Sequence, residues 1–305
     1  MRFAEPPWHG GLAGWRIIGP MGMTVHRLAD IEAFKALAGP FLLEREAEHN
    51  LLLGILGQLG GSTSNERVTC LVVRHRDGTV VGAVLHAPPY NPVLSQVDDL
   101  EAVDALVDSL RAERLPGLLG PSAAAVRFVE RWRASTGQHA ELEMAQRAFR
   151  LDRVLPLAHR ASGSWRFGEE RDHPLLSRWM RNFQEEALPA SSHLEQVEPL
   201  VDRWIRRIGR TLYVWEDRDG PVSVVGVGGA TPNSIRVGPV YTPPEHRGRG
   251  YATALTASAS QDQLDRGRRF CTLFTDLANP TSNRIYRAIG YEPVYDMDQY
   301  RFVSG

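Results

Sequence analysis

Lysine is almost missing from this 305-residue chain: among 35 basic residues only Lys35 is one, and arginine supplies the rest. Set against 36 acidic residues they leave a net charge of −1. That balance excludes a molecule-wide field that would draw the chain to nucleic acid or to an anionic membrane, and the arginine preference itself reads as coding bias. Cysteine is equally scarce. Cys70 and Cys271 sit in separate apolar, β-branched runs, which rules out a disulfide framework and suits buried thiols. No stretch approaches the ~20 apolar residues of a membrane span. The first twenty residues, broken by Pro6, Pro7 and Gly10-Gly11, lack the apolar core of a signal peptide. Residues 1–22 therefore read as a disordered extension, with Met21 or Met23 as an alternative start, and the expected compartment is the cytoplasm. There is no His-Glu-x-x-His run and no paired-cysteine spacing, so no metal is expected. A Gly-x-Ser-x-Gly elbow and a Gly-Lys-Ser/Thr phosphate loop are missing too.

What the chain does have is enough apolar material for a core, 43% hydrophobic against 23% charged residues, and a length that suits two domains of ~100–200 residues each. Helical patterns run over residues 28–43, interrupted at Gly39-Pro40, and over 44–59, followed by a loop at 60–65. Strands at 69–74 and 79–85 flank Asp77-Gly78, a hairpin turn signal. A helix at 97–114, a strand at 117–119, a helix from Pro121 to about 134 and one or two strands over 141–154 complete the first half. After a linker around 155–160 the order repeats. A strand at 165–168 precedes helices at 173–186 and 194–208. A hairpin over 211–216 and 222–230 turns at Asp219-Gly220, and a strand at 234–242 leads to a helix from Gly248 to about 266. A strand at 270–275, a helix at 280–289 and closing strands over 291–302 follow. This predicts two copies of one α/β unit, residues 23–155 and 162–305.

Two stretches carry chemistry. In the first, a β-rich segment ends at Pro243-Pro244, and Arg247-Gly248-Arg249-Gly250 leads straight into an alanine-rich helix. The opening turn of a helix leaves amides without intrahelical partners, and the macrodipole adds positive charge there. Gly248 and Gly250 remove side chains that would keep a phosphate from those amides, while Arg247 and Arg249 add charge. Gly238-Pro239 inside the preceding strand predicts a bulge, since proline cannot donate to a ladder. In the second stretch, Asn279 is a good helix cap, Pro280 a good first residue and Gly290 a good stop. Asn279, Asn283 and Tyr286 fall at i, i+4 and i+7 on one face, and Ile285 and Ile289 form an apolar stripe. The first half lacks the glycine turn: Asp98, Asp99, Glu101 and Asp104 crowd the equivalent helix start, where they suit the dipole and would repel a pyrophosphate.

Arg247-x-x-Gly250-x-Ala252 resembles the Q/R-x-x-G-x-G/A signature of the GNAT N-acetyltransferase superfamily, and Asn279 to Tyr291 is similar to that family's second conserved stretch. The resemblance covers roughly residues 162–303. It implies an α/β (α+β) fold of tandem GNAT-like units, each a mixed, mostly antiparallel sheet flanked by helices, the first one degenerate. It also implies acetyl-CoA as cosubstrate. Main-chain groups of Val240, Tyr241 and Thr242 would hold the pantetheine arm and polarise the thioester carbonyl. Arg247, Gly248, Arg249, Gly250, Tyr251, Ala252 and Thr253 would hold the pyrophosphate, with Asn279 and Asn283 near the arm. Tyr286 is implied as the general acid that protonates the departing thiolate. The family has no fixed base; Glu185, Glu186 and His193 border the acceptor side, and Glu186 is the candidate. The expected activity is direct acetyl transfer to a primary amine of a small molecule or peptide. The alternatives are a non-catalytic acyl-CoA-binding regulatory module and a transferase for a larger acyl group.

Overall fold

A computed structural model describes residues 16–18, 22–59, 68–189 and 196–303. The expected loop at 60–65, the start of the helix expected at 194, and His193 lie outside the described residues, as does most of the expected extension. Inside that extension Arg16–Ile18 form a strand, β1, paired antiparallel with β2, Thr24–Leu28, so the expectation of disorder fails there. The first half continues with α1 (Ile31–Glu44), α2 (Asn50–Leu59), β3 (Thr69–Arg74), β4 (Val80–His86), β5 (Val93–Leu94), α3 (Glu101–Leu110), β6 (Gly117–Pro121), α4 (Ser122–Thr136) and β7 (His139–Leu151). The second half runs β8 (Ser164–Phe167), α5 (His173–Ala187), α6 (Val197–Ile205), β9 (Arg210–Asp217), β10 (Gly220–Gly228), β11 (Ser234–Tyr241), α7 (Tyr251–Asp265), β12 (Phe270–Asp276), α8 (Pro280–Ile289) and β13 (Glu292–Val303). From β2 onward, the halves match element for element.

Two expectations need correction. α1 does not break at Gly39-Pro40; it runs through Pro40. Its buried residues, Ile31, Phe34, Ala38 and Leu42, continue across the proline, and packing that stripe outweighs the one hydrogen bond proline removes. Nor does a helix begin at Leu28, which ends β2. Asp30 caps α1 instead, its carboxylate accepting from Ala33 N at 2.8 Å.

All thirteen strands described join one mixed sheet in the order β1-β2-β3-β4-β5-β6-β13-β7-β12-β11-β10-β9-β8. Every pairing is antiparallel except β5 with β6 and β11 with β12. The closing strands are exchanged. β7, from the first half, pairs with β12, while β13, from the second, pairs with β6, and β7 and β13 pair with each other along almost their whole length. Successive residues of a strand face opposite sides, so each half has two apolar layers. Phe34, Leu42, Cys70, Val72 and Leu85 pack beneath α1 and α2, and Leu71, Val73, Val84, Leu106 and Phe128 beneath α3 and α4. Correspondingly, Leu176, Val201, Leu212 and Val224 lie on the α5 and α6 side, and Phe149, Leu255, Cys271, Leu273 and Ile289 on the α7 and α8 side. The halves also meet at Glu46, just after α1. It accepts from Asn233 N at 2.8 Å, from Asn233 Nδ2 at 2.7 Å and from the Thr231 hydroxyl. Burial alone would raise its carboxyl, but these bonds outweigh that and hold it below the usual carboxylate value.

Candidate active site

β11 decides the geometry of the site. It pairs with β12 only over Ser234 to Arg236; beyond Arg236 the two parallel strands separate and leave the main chain of residues 237–241 as an open edge on that side. Toward β10 the register slips: Val227 faces Val237, but Val225 faces Val240. The extra residues are Gly238 and Pro239, opposite Gly226, which is the expected bulge. A β-carbon on Gly226 would lie 2.9 Å from Pro239 Cδ and 3.1 Å from Gly238 O, so the bulge needs glycine across from it. Arg210 of β9 donates to Gly238 O and holds the bulge from behind.

The open edge leads into the glycine turn. After one 3-10 turn at Pro244–His246, Gly248 and Gly250 take the left-handed conformation, φ 77° and 82°. A β-carbon on either would meet nothing within 4 Å. These glycines therefore serve backbone shape and an open approach. Gly250 starts α7 with no side-chain cap, and Ala254 N is the donor that bonds back to Gly250 O, at 3.0 Å. Helix geometry leaves the amides of Tyr251, Ala252 and Thr253 without intrahelical acceptors, directly after the open glycines. The residues fit a diphosphate. Tyr251 adds an anchor, its side chain buried and its hydroxyl donating to Asp217 at the end of β9.

Arg247 does not point freely into this cradle. Its Nε donates to Thr242 O at 2.9 Å and its Nη2 to Glu186 Oε2 at 2.6 Å, and its guanidinium lies 5.9 Å from the Tyr241 ring centre. Glu186 Oε1 accepts from the Tyr241 hydroxyl at 3.2 Å, and that oxygen accepts from Asn182 Nδ2, also at 3.2 Å. Burial and the Glu186 carboxylate push the Tyr241 phenol up, against the opposing bond from Asn182. Each Glu186 oxygen thus has a partner, so Glu186 ties Arg247 to Tyr241 at the end of β11. Asn182 escaped the sequence reading because its partner is 59 positions away and nothing local marks it.

α8 starts and ends where its caps predict. Asn279 Oδ1 accepts from Ser282 N at 3.0 Å, while Asn283 Nδ2 donates to Asp276 O at 3.0 Å and Asn279 O at 2.8 Å. Both asparagine side chains therefore close the helix start. Tyr286 belongs with the apolar stripe more than with the two asparagines. It is 8% exposed, its ring 6.4 Å from that of Phe149 and 6.0 Å from that of Tyr291. Burial pushes its phenol up to about 12, against a hydrogen bond from Ser282. Burial likewise pushes the Cys271 thiol to about 12, so it stays protonated and is no nucleophile. Among the described residues no group of three or more His, Cys, Asp or Glu is placed to hold a metal ion, and no helix is long and apolar enough to cross a membrane.

In the first half β5 and β6 likewise pair at a single position, Val93 with Leu119, but the start of α3 is occupied. Asp99 Oδ1 accepts from Glu101 N at 2.9 Å, and Asp98 binds Arg45 through both oxygens, at 2.8 and 2.6 Å. Acids sit where the second half leaves bare amides.

The site is thus a parallel strand pair that splays at a bulge and opens onto a glycine turn at a helix start. Residues 209–293 match the family described as Acetyltransferase (GNAT) domain. Within the second half, residues 209–293 form a GNAT domain. Solved structures extend the likeness in fold to the whole chain. A Drosophila protein is 13% identical with a TM-score of 0.66, covering 92% of this chain and 98% of its own. A tandem GNAT protein from the clavulanic acid biosynthesis pathway is 15% identical at 0.55, with the same coverage. A GCN5-related N-acetyltransferase from Kribbella flavida is 17% identical at 0.51, covering 74% and 89%. At these identities the likeness shows the tandem GNAT fold and no more. No curated sequence matches the chain.

Proposed function

We propose that this protein transfers an acetyl group from acetyl-CoA to a primary amine of a small molecule or peptide, by direct attack within the β11–β12 cleft. The carrying observation is that the open edge of β11 and the bare amides at the start of α7 lie end to end, as an extended thioester with a diphosphate at its far end requires. The edge residues Val240, Tyr241 and Thr242 hydrogen-bond the arm strand-fashion and orient the carbonyl. Main-chain donors there stabilise the charge that develops on its oxygen. Gly248 to Thr253 bind the diphosphate, and Arg249, exposed beside them, adds charge. The amine nitrogen bonds to the acetyl carbon, the carbon–sulfur bond breaks, and Tyr286 gives its proton to the leaving sulfur. The ammonium proton passes to solvent. A phenol at about 12 is fully protonated at neutral pH, as a proton donor must be.

Calorimetric titration with coenzyme A, paired with thiol release from acetyl-CoA in an amine screen, tests the reading. Gly250→Asp places a carboxylate where the diphosphate sits and forces a left-handed conformation on it, itself worth ~1–2 kcal/mol. Coenzyme A binding is expected to disappear. Tyr286→Phe is expected to retain affinity and lose about 10²-fold in kcat. Undiminished turnover in both variants rejects the assignment. Binding without turnover for any amine points to the non-catalytic acyl-CoA module instead.

A further inference from the structure

Arg236 is the last residue of β11 paired with β12, and it stands at the apex of the cleft. Its neighbours Ile235 and Val237 face α7, so alternation turns Arg236 to the opposite side of the sheet, the side of α5 and α6. There the guanidinium lies 6.0 Å from the Phe274 ring centre. Phe274 pairs with Ala148 on β7, and Ala148 with Tyr295 on β13. Two half-buried aromatic residues thus flank a buried alanine in register beside Arg236. Gly229 lets the guanidinium lie against the main chain, since a β-carbon on it would be 3.0 Å from Arg236 Nη2.

No carboxylate among the described residues forms an ion pair with Arg236, and its Nη1 is buried without a hydrogen-bond partner. Other arginines near it are matched: Arg147 to Asp296 at 2.6 Å and Arg150 to Asp152 at 2.7 Å. A guanidinium with a buried, unmatched nitrogen is costly to maintain, and a ring contact recovers only a small part of that cost. What lowers the cost is an anion supplied from outside. We infer that Arg236 receives the carboxylate of the acceptor, so that the amine acetylated here belongs to a small amino acid. This rests on the transferase reading above. Arg236 and the carbonyl-orienting edge that begins at Val240 lie on one strand, four residues or ~13 Å apart, a span that the long arginine side chain partly bridges, so one small acceptor carries both the carboxylate and the reacting nitrogen.

Thiol release from acetyl-CoA is measured with amino acids and with their carboxamides, for the wild type, Arg236→Met and Arg236→Lys, after acetyl-CoA binding is confirmed by calorimetry for each. The wild type is expected to favour carboxylates over carboxamides at least about tenfold in kcat/KM. Arg236→Met should raise KM for carboxylates roughly hundredfold, the usual loss when one partner of a buried charge pair is removed, with a smaller change in kcat, and so level the two series. Arg236→Lys should restore part of the preference. Arg236→Met should also melt no lower than the wild type, because an unmatched charge has been removed. Equal use of carboxylates and carboxamides overturns the inference, as does acetyl-CoA binding with no amino acid acetylated. A fall in melting temperature in both variants with the acceptor preference unchanged assigns Arg236 a structural role and overturns it too. Failure to bind acetyl-CoA removes the transferase reading itself, and this inference with it.

Discussion

Tyr286 shows how one position serves packing and chemistry together. Its ring fills the core between Phe149 and Tyr291, and the same burial that holds it pushes the hydroxyl to about 12. Because this folded value exceeds the ordinary tyrosine value of 10.0, the contribution to stability is complete below pH 10 and declines as pH rises toward 12. Urea midpoints from pH 8 to 11 should therefore fall more steeply in the wild type than in Tyr286→Phe. A matching alkaline slope in the two proteins contradicts the burial. Asn279 and Tyr286 were both visible in the sequence, Asn279 through local capping. That Tyr286 faces the core was not visible, because a 3.6-residue period sets it nearer the asparagine face than the apolar stripe.

At the scale of elements, function rests on two irregularities in otherwise regular structure: the bulge in β11 and the uncapped start of α7. Gly226 is the test of the first. Gly226→Ala sets a methyl against Pro239 and the Gly238 carbonyl, an overpacking expected to cost ~1–3 kcal/mol. Urea denaturation should show that loss. Because the edge that follows is displaced with it, coenzyme A affinity should fall as well; an unchanged affinity means that the bulge does not set the cleft. The elements themselves were largely legible. α8 was bounded by its caps, the β9–β10 hairpin by Asp219-Gly220, and the bulge by Gly238-Pro239. α1 was misjudged because Gly39-Pro40 breaks an isolated helix, and only packing against β3 and β4 carries the helix past it.

For the whole molecule, strand exchange makes the two halves one sheet. Without β7, β12 would lose a partner along six residues, and without β13, β6 would lose one along five. Such unpaired edges promote aggregation. A single cooperative transition is therefore expected, with coincident fluorescence and circular dichroism curves. Two separated transitions show that the exchange does not couple the halves. Glu46 strengthens the coupling, since its carboxylate binds the loop before β11. The first half, with acids where the second has bare amides, thus ties down the loop that leads into β11.

Local chemistry in the sequence determined the order of elements, the duplication, the glycine turn and which half keeps it. These follow from residues acting within a few positions of one another. Only the tertiary structure decided that the closing strands trade places, that Glu186 holds Arg247, and that a buried nitrogen of Arg236 has no acid beside it. Strand patterns specify which face is apolar but not which edge will be met. Whether a charge is matched depends on side chains brought together from distant parts of the chain.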